Sequence, residues 1–416
     1  MGLRLGFRLF FLRIALSELS FLSLGVFVFL SPTLPPLTIK EKHIQAPIVQ
    51  GGMGIGVSLS PLASSVAREG GLGIVSSAGL DRLLSRRLKK KIGTYEAVRE
   101  EMLLAKEKGG VSGINIMAAI ARGYEDSVRA AIDAKTDVII SGGGLPLTLP
   151  GIKSPGETAL VPIVSSARAL TLICRKWERY GYRPDAVVLE GPLAGGHLGF
   201  RFDDIYLESN RLENLFPPVK ETAIRFGNFP VIVAGGIYSH DDIIRFLRLG
   251  ADGVQLGTRF LATEESSASV LYKQAVVDAT REDIIVSRRP GSPCGMPFRV
   301  LRHAPMFVSA REKRRRPRCD KGYLLSKGGQ GSCPADSENG DCFCICNGLL
   351  SSAGYNPYEE EPLYTVGVNG CRVDKVLSVK ELMDELKGIA CVGQCEEDPG
   401  MPDIKGRRKL MQTSHA

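Results

Sequence analysis

The chain has 416 residues, 44% hydrophobic and 24% charged, which is ordinary globular material: enough for one large domain with an appendage or for two domains. Its formal net charge of +8 is concentrated at 86–91 (RRLKKK) and 311–318 (REKRRRPR). With no aromatic-interleaved basic segment, these runs read as solvated loops or helix faces and not as nucleic-acid contacts. Of ten cysteines, eight lie from Cys319 to Cys395 and only Cys174 precedes Cys294, which argues against a disulfide framework for the main domain.

At the start, Arg4, Arg8 and Arg13 precede an apolar run at 19–30. That run is too short to span a bilayer, Glu18 interrupts the longer apolar pattern, and SPTLPP follows where a signal peptide would carry a small-residue cleavage site. Residues 1–37 are therefore read as a hydrophobic N-terminal extension and the protein as cytoplasmic, with membrane association through residues 1–30 as the alternative.

From Thr38 onward, short β-branched runs that end in small residues alternate with amphipathic stretches. The runs are 47–50 (PIVQ), 72–76 (LGIVS), 113–117 (GINIM), 137–141 (DVIIS), 160–164 (LVPIV), 186–190 (AVVLE), 230–234 (PVIVA) and 253–256 (GVQL). Five of the seven spacings are about 25 residues, the length of one strand, one helix and two short loops. Helical patterns fall at 60–69, 95–108, 124–134, 165–180 and 239–249. Strands alternating with helices imply a parallel sheet, and eight repeats imply closure into a (β/α)8 barrel over residues 38–310, with a doubly wound open sheet as the alternative.

In such a barrel the C-terminal strand ends carry the working residues. The first strand runs into Gly51, Gly52, Met53 and Gly54; the third holds Asn115; the fourth ends in Ser141 and three glycines. The sixth stops at Glu190 and opens into a glycine-rich loop (GPLAGGHLGF) that carries His197, which reads as a general base or as a satisfied structural histidine. The seventh ends in Gly235 and Gly236, and the eighth in Gly257 and Thr258 ahead of a short helix. Glycine amides at the ends of strands seven and eight suit a phosphate, so a phosphorylated cofactor is expected. No G-x-G-x-x-G follows a strand and opens a helix, so a mononucleotide is favoured over a dinucleotide.

Beyond Ala310 the rhythm fails. Residues 311–386 read as a small cysteine-rich subdomain and C-terminal helix packing on the barrel, and 387–416 as a tail. Cys342, Cys344 and Cys346 form C-x-C-x-C, which lacks the paired C-x-x-C spacing of zinc ribbons; a metal or iron–sulfur site is the alternative to reduced thiols, and no metal ligand is assigned. The helix is expected at 378–386, with Ser378 as cap and Glu381 three residues on.

The segments APIVQGGMGIGVS at Ala46, GINIM at Gly113, EGPLAGGHLGF at Glu190, FPVIVAGGI at Phe229 and GADGVQLGTRFL at Gly250 occur in one order. On these, roughly residues 37–386 resemble the nitronate monooxygenases, once called 2-nitropropane dioxygenases, and are similar to flavin-dependent enoyl-[acyl-carrier-protein] reductases. The resemblance implies an FMN-containing TIM barrel with the flavin ring over its mouth. By position it puts Gly52, Met53 and Asn115 near the flavin, Gly235 and Gly236 at its phosphate, and Gln255, Gly257 and Thr258 closing that site; His197 becomes the catalytic residue. None of these lies in the cysteine-rich segment. The implied reaction is FMN-dependent oxidation of alkyl nitronates by O2 to a carbonyl compound and nitrite, with an FMN- and NAD(P)H-dependent enoyl reductase as the alternative. A flavin- or metal-binding regulator with the cysteine tail as sensor is a third reading. The expected partners are a small-molecule substrate and O2, with no nucleic acid and membrane contact only through the N-terminal extension.

Overall fold

A computed structural model describes residues 34–120, 123–313, 333–336, 342–355 and 360–389. Eight parallel strands close into a barrel: β1 (Ile48–Gln50), β2 (Leu72–Ser76), β3 (Val111–Met117), β4 (Val138–Gly142), β5 (Ala159–Val164), β6 (Val187–Glu190), β7 (Val231–Ala234) and β8 (Gly253–Leu256). The closing pair runs Val254 to Ile48, Gln255 to Val49 and Leu256 to Gln50. All eight strands fall on the runs expected from the sequence, and the barrel replaces the open-sheet alternative.

Alternation along the strands divides the core in two. Leu72 and Ile74, Val138 and Ile140, and Ala159 and Val161 point inward and fill the barrel with Val188 and Ile232. Their neighbours Val75, Ile139, Leu160 and Leu189 point outward against the helices. This is the two-residue period of a strand covered on both faces. A hairpin, Leu37–Ile39 with Lys42–Ile44, sends Leu37, Ile39 and Ile44 into the inner cluster and plugs the N-terminal end of the barrel. The opposite end stays open for the loops.

Among the described residues, seven helices of eight residues or more connect the strands on the outside, α1 (Ser60–Arg68), α2 (Leu80–Arg87), α3 (Thr94–Lys106), α4 (Tyr124–Asp133), α5 (Ala167–Glu178), α6 (Leu212–Arg225) and α7 (His240–Arg248), and a single helical turn, Leu149–Ile152, lies between β4 and β5. Two of the seven, and the single turn, were not expected. α2 is short and carries the start of the first basic run, where the side chain of Arg86 donates to the Tyr355 carbonyl at 3.1 Å; residues 87–91 are exposed. α6 contains Pro217 and Pro218, which withhold backbone donors and mask the helical pattern in the sequence.

After β8 come α8 (Thr258–Leu261), two further helices at Val270–Val277 and Pro305–Arg311, then α9 (Ile345–Ser352) and α10 (Val379–Lys387). The expected capping box closes the start of α10: the Ser378 hydroxyl accepts from the Glu381 amide, and the Glu381 carboxylate accepts from the Ser378 amide at 2.8 Å. α10 packs on α1 and α7, and Glu385 pairs with Arg259 of α8 at 2.7 Å. A second sheet, separate from the barrel, pairs Ile284–Ser287 and Gly196–His197 antiparallel to Phe298–Leu301. Among the described residues no helix is long and apolar enough to cross a membrane, and no group of three or more His, Cys, Asp or Glu converges as a metal site. The apolar run at 19–30, most of the second basic run, Cys319, Cys391 and Cys395 lie outside the described residues.

Candidate active site

The loop after β1 is fixed by Gln50, a fully buried polar side chain at the strand end. Its Nε2 donates to the Ser58 hydroxyl at 2.9 Å, and its Oε1 accepts from the Ile74 amide at 2.9 Å, which ties β1 to β2. The Ser58 hydroxyl in turn accepts from the Met53 amide at 2.9 Å. Buried amides must be satisfied, and this chain of bonds does so while folding residues 51–53 over the barrel mouth. There Gly52 passes so close to β3 that a Cβ would stand 2.3 Å from the Asn115 Cβ. Only glycine fits.

Across the mouth, Gly235 and Gly236 after β7 have φ of +93° and +89°, a region that side-chain-bearing residues rarely enter. The amides of Gly235, Gly236, Gly257 and Thr258 donate to no acceptor among the described residues, and all four residues line one cavity. A strap from far along the chain closes this end. The Gly367 amide donates to the Thr258 hydroxyl at 2.9 Å, the Val368 amide to the Leu193 carbonyl at 3.1 Å, and the Asn369 side chain to the Gly236 carbonyl at 2.6 Å. Arg259 lies beneath, stacked on Tyr238 at 4.2 Å and paired with Glu385.

His197 sits on a strand, not on a free loop: Gly196 and His197 pair with Arg299 and Phe298, and the imidazole meets the Phe298 ring edge-on at 4.7 Å. The Arg299 guanidinium is buried and donates to the carbonyls of Pro192, at 2.8 Å, and Ala194, so both flanks of the glycine loop are held. The Nε2 of His197 is buried and has no hydrogen-bond partner among the described residues. Burial disfavours the imidazolium and pulls its pKa down to about 4, so the ring is neutral at ordinary pH. The Glu190 carboxyl is enclosed except toward the cavities, and burial pushes it up to about 7.

Two cavities meet at the mouth. The smaller, about 170 Å³, has Gly235, Gly236, Gln255, Gly257 and Thr258 in its wall; the larger, about 450 Å³, is mostly apolar and has His197. Gly52, Met53, Asn115, Ile163, Glu190 and Gly195 line both, so the two form one continuous site. Gly52, Met53, Asn115, His197, Gly235, Gly236, Gln255, Gly257 and Thr258 therefore all line this site, whereas Ser141 lines neither cavity and bonds to the Ile116 carbonyl.

The family model for nitronate monooxygenase matches residues 36–388. The chain belongs to the nitronate monooxygenase family. Among similar proteins, a Mycobacterium tuberculosis (3aS,4S,5R,7aS)-5-hydroxy-7a-methyl-1-oxo-octahydro-1H-indene-4-carboxyl-CoA dehydrogenase is 31% identical over 264 residues, which is 62% of this chain and 64%, less than two thirds, of that protein. The probable nitronate monooxygenase of Bacillus subtilis is 27% identical over 264 residues, 59% of this chain and 74% of its own length. The solved structure of FabK from Thermotoga maritima superposes with a TM-score of 0.62 at 27% identity and covers 83% of this chain and 93% of its own.

Nitronate monooxygenases are flavin oxidoreductases, and the residues present here fit a flavin. Four amides without acceptors among the described residues and a hydroxyl hydrogen on Thr258 suit a phosphate; glycines clear the mouth for a flat ring; the side-chain amides of Asn115 and Gln255 have no partner among the described residues. Four contributors were missed from the sequence. Gly367 and Asn369 lie more than a hundred residues beyond β8, where only a turn-like GVNG run marks them. Arg299 belongs to the second sheet, and Glu190 was read as a strand end without a place in the site. The cysteine-rich segment is also closer to the site than expected: Ile345, Cys346 and Leu349 of α9 line the larger cavity.

Proposed function

We propose that this protein is an FMN-dependent nitronate monooxygenase, taking an alkyl nitronate and O2 to a carbonyl compound and nitrite. One observation carries the reading: a single site joins a glycine-walled end with unused amides to an apolar end holding a neutral imidazole whose Nε2 has no partner among the described residues. Gly235, Gly236, Gly257 and Thr258 would hold one phosphate, which favours FMN; Gly52, Met53 and Asn115 would lie against the ring. When bound, the flavin supplies the oxidation. The protein supplies position and protons.

His197 serves a neutral nitroalkane as the base that accepts the α-proton. The same burial that keeps the imidazole neutral makes an isolated imidazolium costly, so the proton is retained only beside the anion that its transfer creates. A nitronate that arrives deprotonated needs only a hydrogen-bond donor at this position. The substrate is a small molecule, and O2 is the second reactant.

The second reading is NAD(P)H-dependent reduction of an enoyl thioester. It is favoured by the larger cavity, whose apolar wall exceeds what a short nitroalkane fills, and by the likeness to a protein named for a CoA thioester. Purified protein should be yellow, release FMN and not FAD on denaturation, and form nitrite from a nitronate. Rapid anaerobic bleaching by NADH with turnover of crotonyl thioester, and no nitrite, would establish the reductase instead.

A further inference from the structure

Glu190 is the one carboxyl group among the described residues that line either cavity, and it lines both. It ends β6, where pairing with Ala234 of β7 fixes its backbone. Its carboxyl makes no hydrogen bond and no ion pair among the described residues and faces the two cavities, where a ligand can complete it.

The other titratable or charged groups facing these cavities are His197, Tyr238, Arg259 and Cys346. Arg259 is paired with Glu385 and stacked on Tyr238; Arg299, which lines neither cavity, donates from Nη1 to two carbonyls, and its buried Nη2 has no partner among the described residues. β1, β3 and β5 and the loops that follow them offer only glycines, apolar side chains, serines and the Asn115 amide to the two cavities. Among the described residues no cation is paired with the Glu190 carboxyl.

We propose that Glu190 selects the charge of the ligand: protonated, its carboxyl donates a hydrogen bond to an anionic oxygen in the volume shared by the two cavities, and ionised, it excludes that anion. His197 cannot perform this selection above mild acid, because it stays neutral there and lines only the larger cavity. Burial places the ionisation of Glu190 at about 7, so the selection operates near neutral pH. The proposal rests on the nitronate reading for its natural ligand, an anion with two oxygens, but its test does not require turnover.

The probe is nitrite, an anion throughout the range used. The flavin-loaded protein is titrated calorimetrically from about pH 6 to about pH 9 in two buffers of different ionisation enthalpy, which counts protons taken up on binding. In the wild type, affinity should fall about tenfold per pH unit above about 7, with one proton taken up. Glu190→Gln should bind with the low-pH affinity at every pH and take up none; Glu190→Asp should restore both the slope and the proton. A slope that persists in Glu190→Gln, a flat wild-type profile, or no nitrite binding at about pH 6 overturns the proposal. If Glu190→Gln loses its flavin, Glu190→Asp decides: its midpoint must move from that of the wild type, and an unmoved midpoint overturns the assignment. Proton-linked nitrite binding by a protein that forms no nitrite from nitronates would sustain this proposal while sinking the nitronate reading.

Discussion

His197 carries two chemical roles that a substitution can separate. Asparagine keeps a donor and removes the base, so His197→Asn should lower kcat/KM for a neutral nitroalkane by about 10²- to 10⁴-fold and for the preformed nitronate far less. Flavin content is measured alongside, so that lost cofactor is not read as lost chemistry. Because burial holds the imidazole pKa near 4, the base is unprotonated across neutral pH; activity on the neutral substrate should fall on the acid side only as pH drops through about 4. Arg299 makes a different, local prediction. Arg299→Met strands the carbonyls of Pro192 and Ala194 but also removes a desolvated charge, so global stability should change little. Flavin affinity should weaken about tenfold, and amide exchange across residues 191–197 should accelerate. At this scale, His197 and the glycines were legible because they follow recognisable strands. Arg299 was not, since nothing local in FRVL says that its side chain will hold a loop about a hundred residues earlier.

The strand ends and the strap behave as one element at the smaller cavity. The Thr258 hydroxyl accepts from the Gly367 amide and keeps its own hydrogen for a ligand. Thr258→Val preserves shape, removes that donor and leaves the Gly367 amide without an acceptor, a cost of about 1–3 kcal/mol. Flavin affinity, followed by fluorescence on reconstitution, should fall at least tenfold with the barrel still folded; unchanged affinity would remove the strap from the cofactor site. The strands themselves were readable because each is a short β-branched run stopped by a small residue at nearly constant spacing. α10 was readable from its capping box. α6 was hidden by two prolines, and the strap by its lack of any period, since its partners lie on three different loops.

For the whole molecule, closure into a barrel follows from counting repeats, but the electrostatic cost of the site becomes visible only once the chain folds. Glu190 and His197 are both pushed toward their neutral forms, in opposite directions of pKa. With its folded pKa raised from 4.5 to about 7, Glu190 binds more protons in the folded state, so its contribution to stability is lost as pH rises through that window. With its folded pKa lowered from 6.5 to about 4, His197 binds fewer, so its contribution is lost as pH falls through that window. Between about 4.5 and about 6.5 the two slopes have opposite sign and offset one another: the folded pair is neutral as GluH and His, and the unfolded pair is neutral as Glu⁻ and HisH⁺. Above that window only the carboxylate penalty remains. Glu190→Gln should therefore stabilise the flavin-free protein at about pH 8, by up to about 3 kcal/mol and by less where water enters the cavity. At about pH 5.5 the same substitution removes the offset, so the variant should lose stability on acidification more steeply than the wild type. Denaturant melts of both proteins across this range decide it: equal pH profiles would mean that the carboxyl is not desolvated in the folded chain.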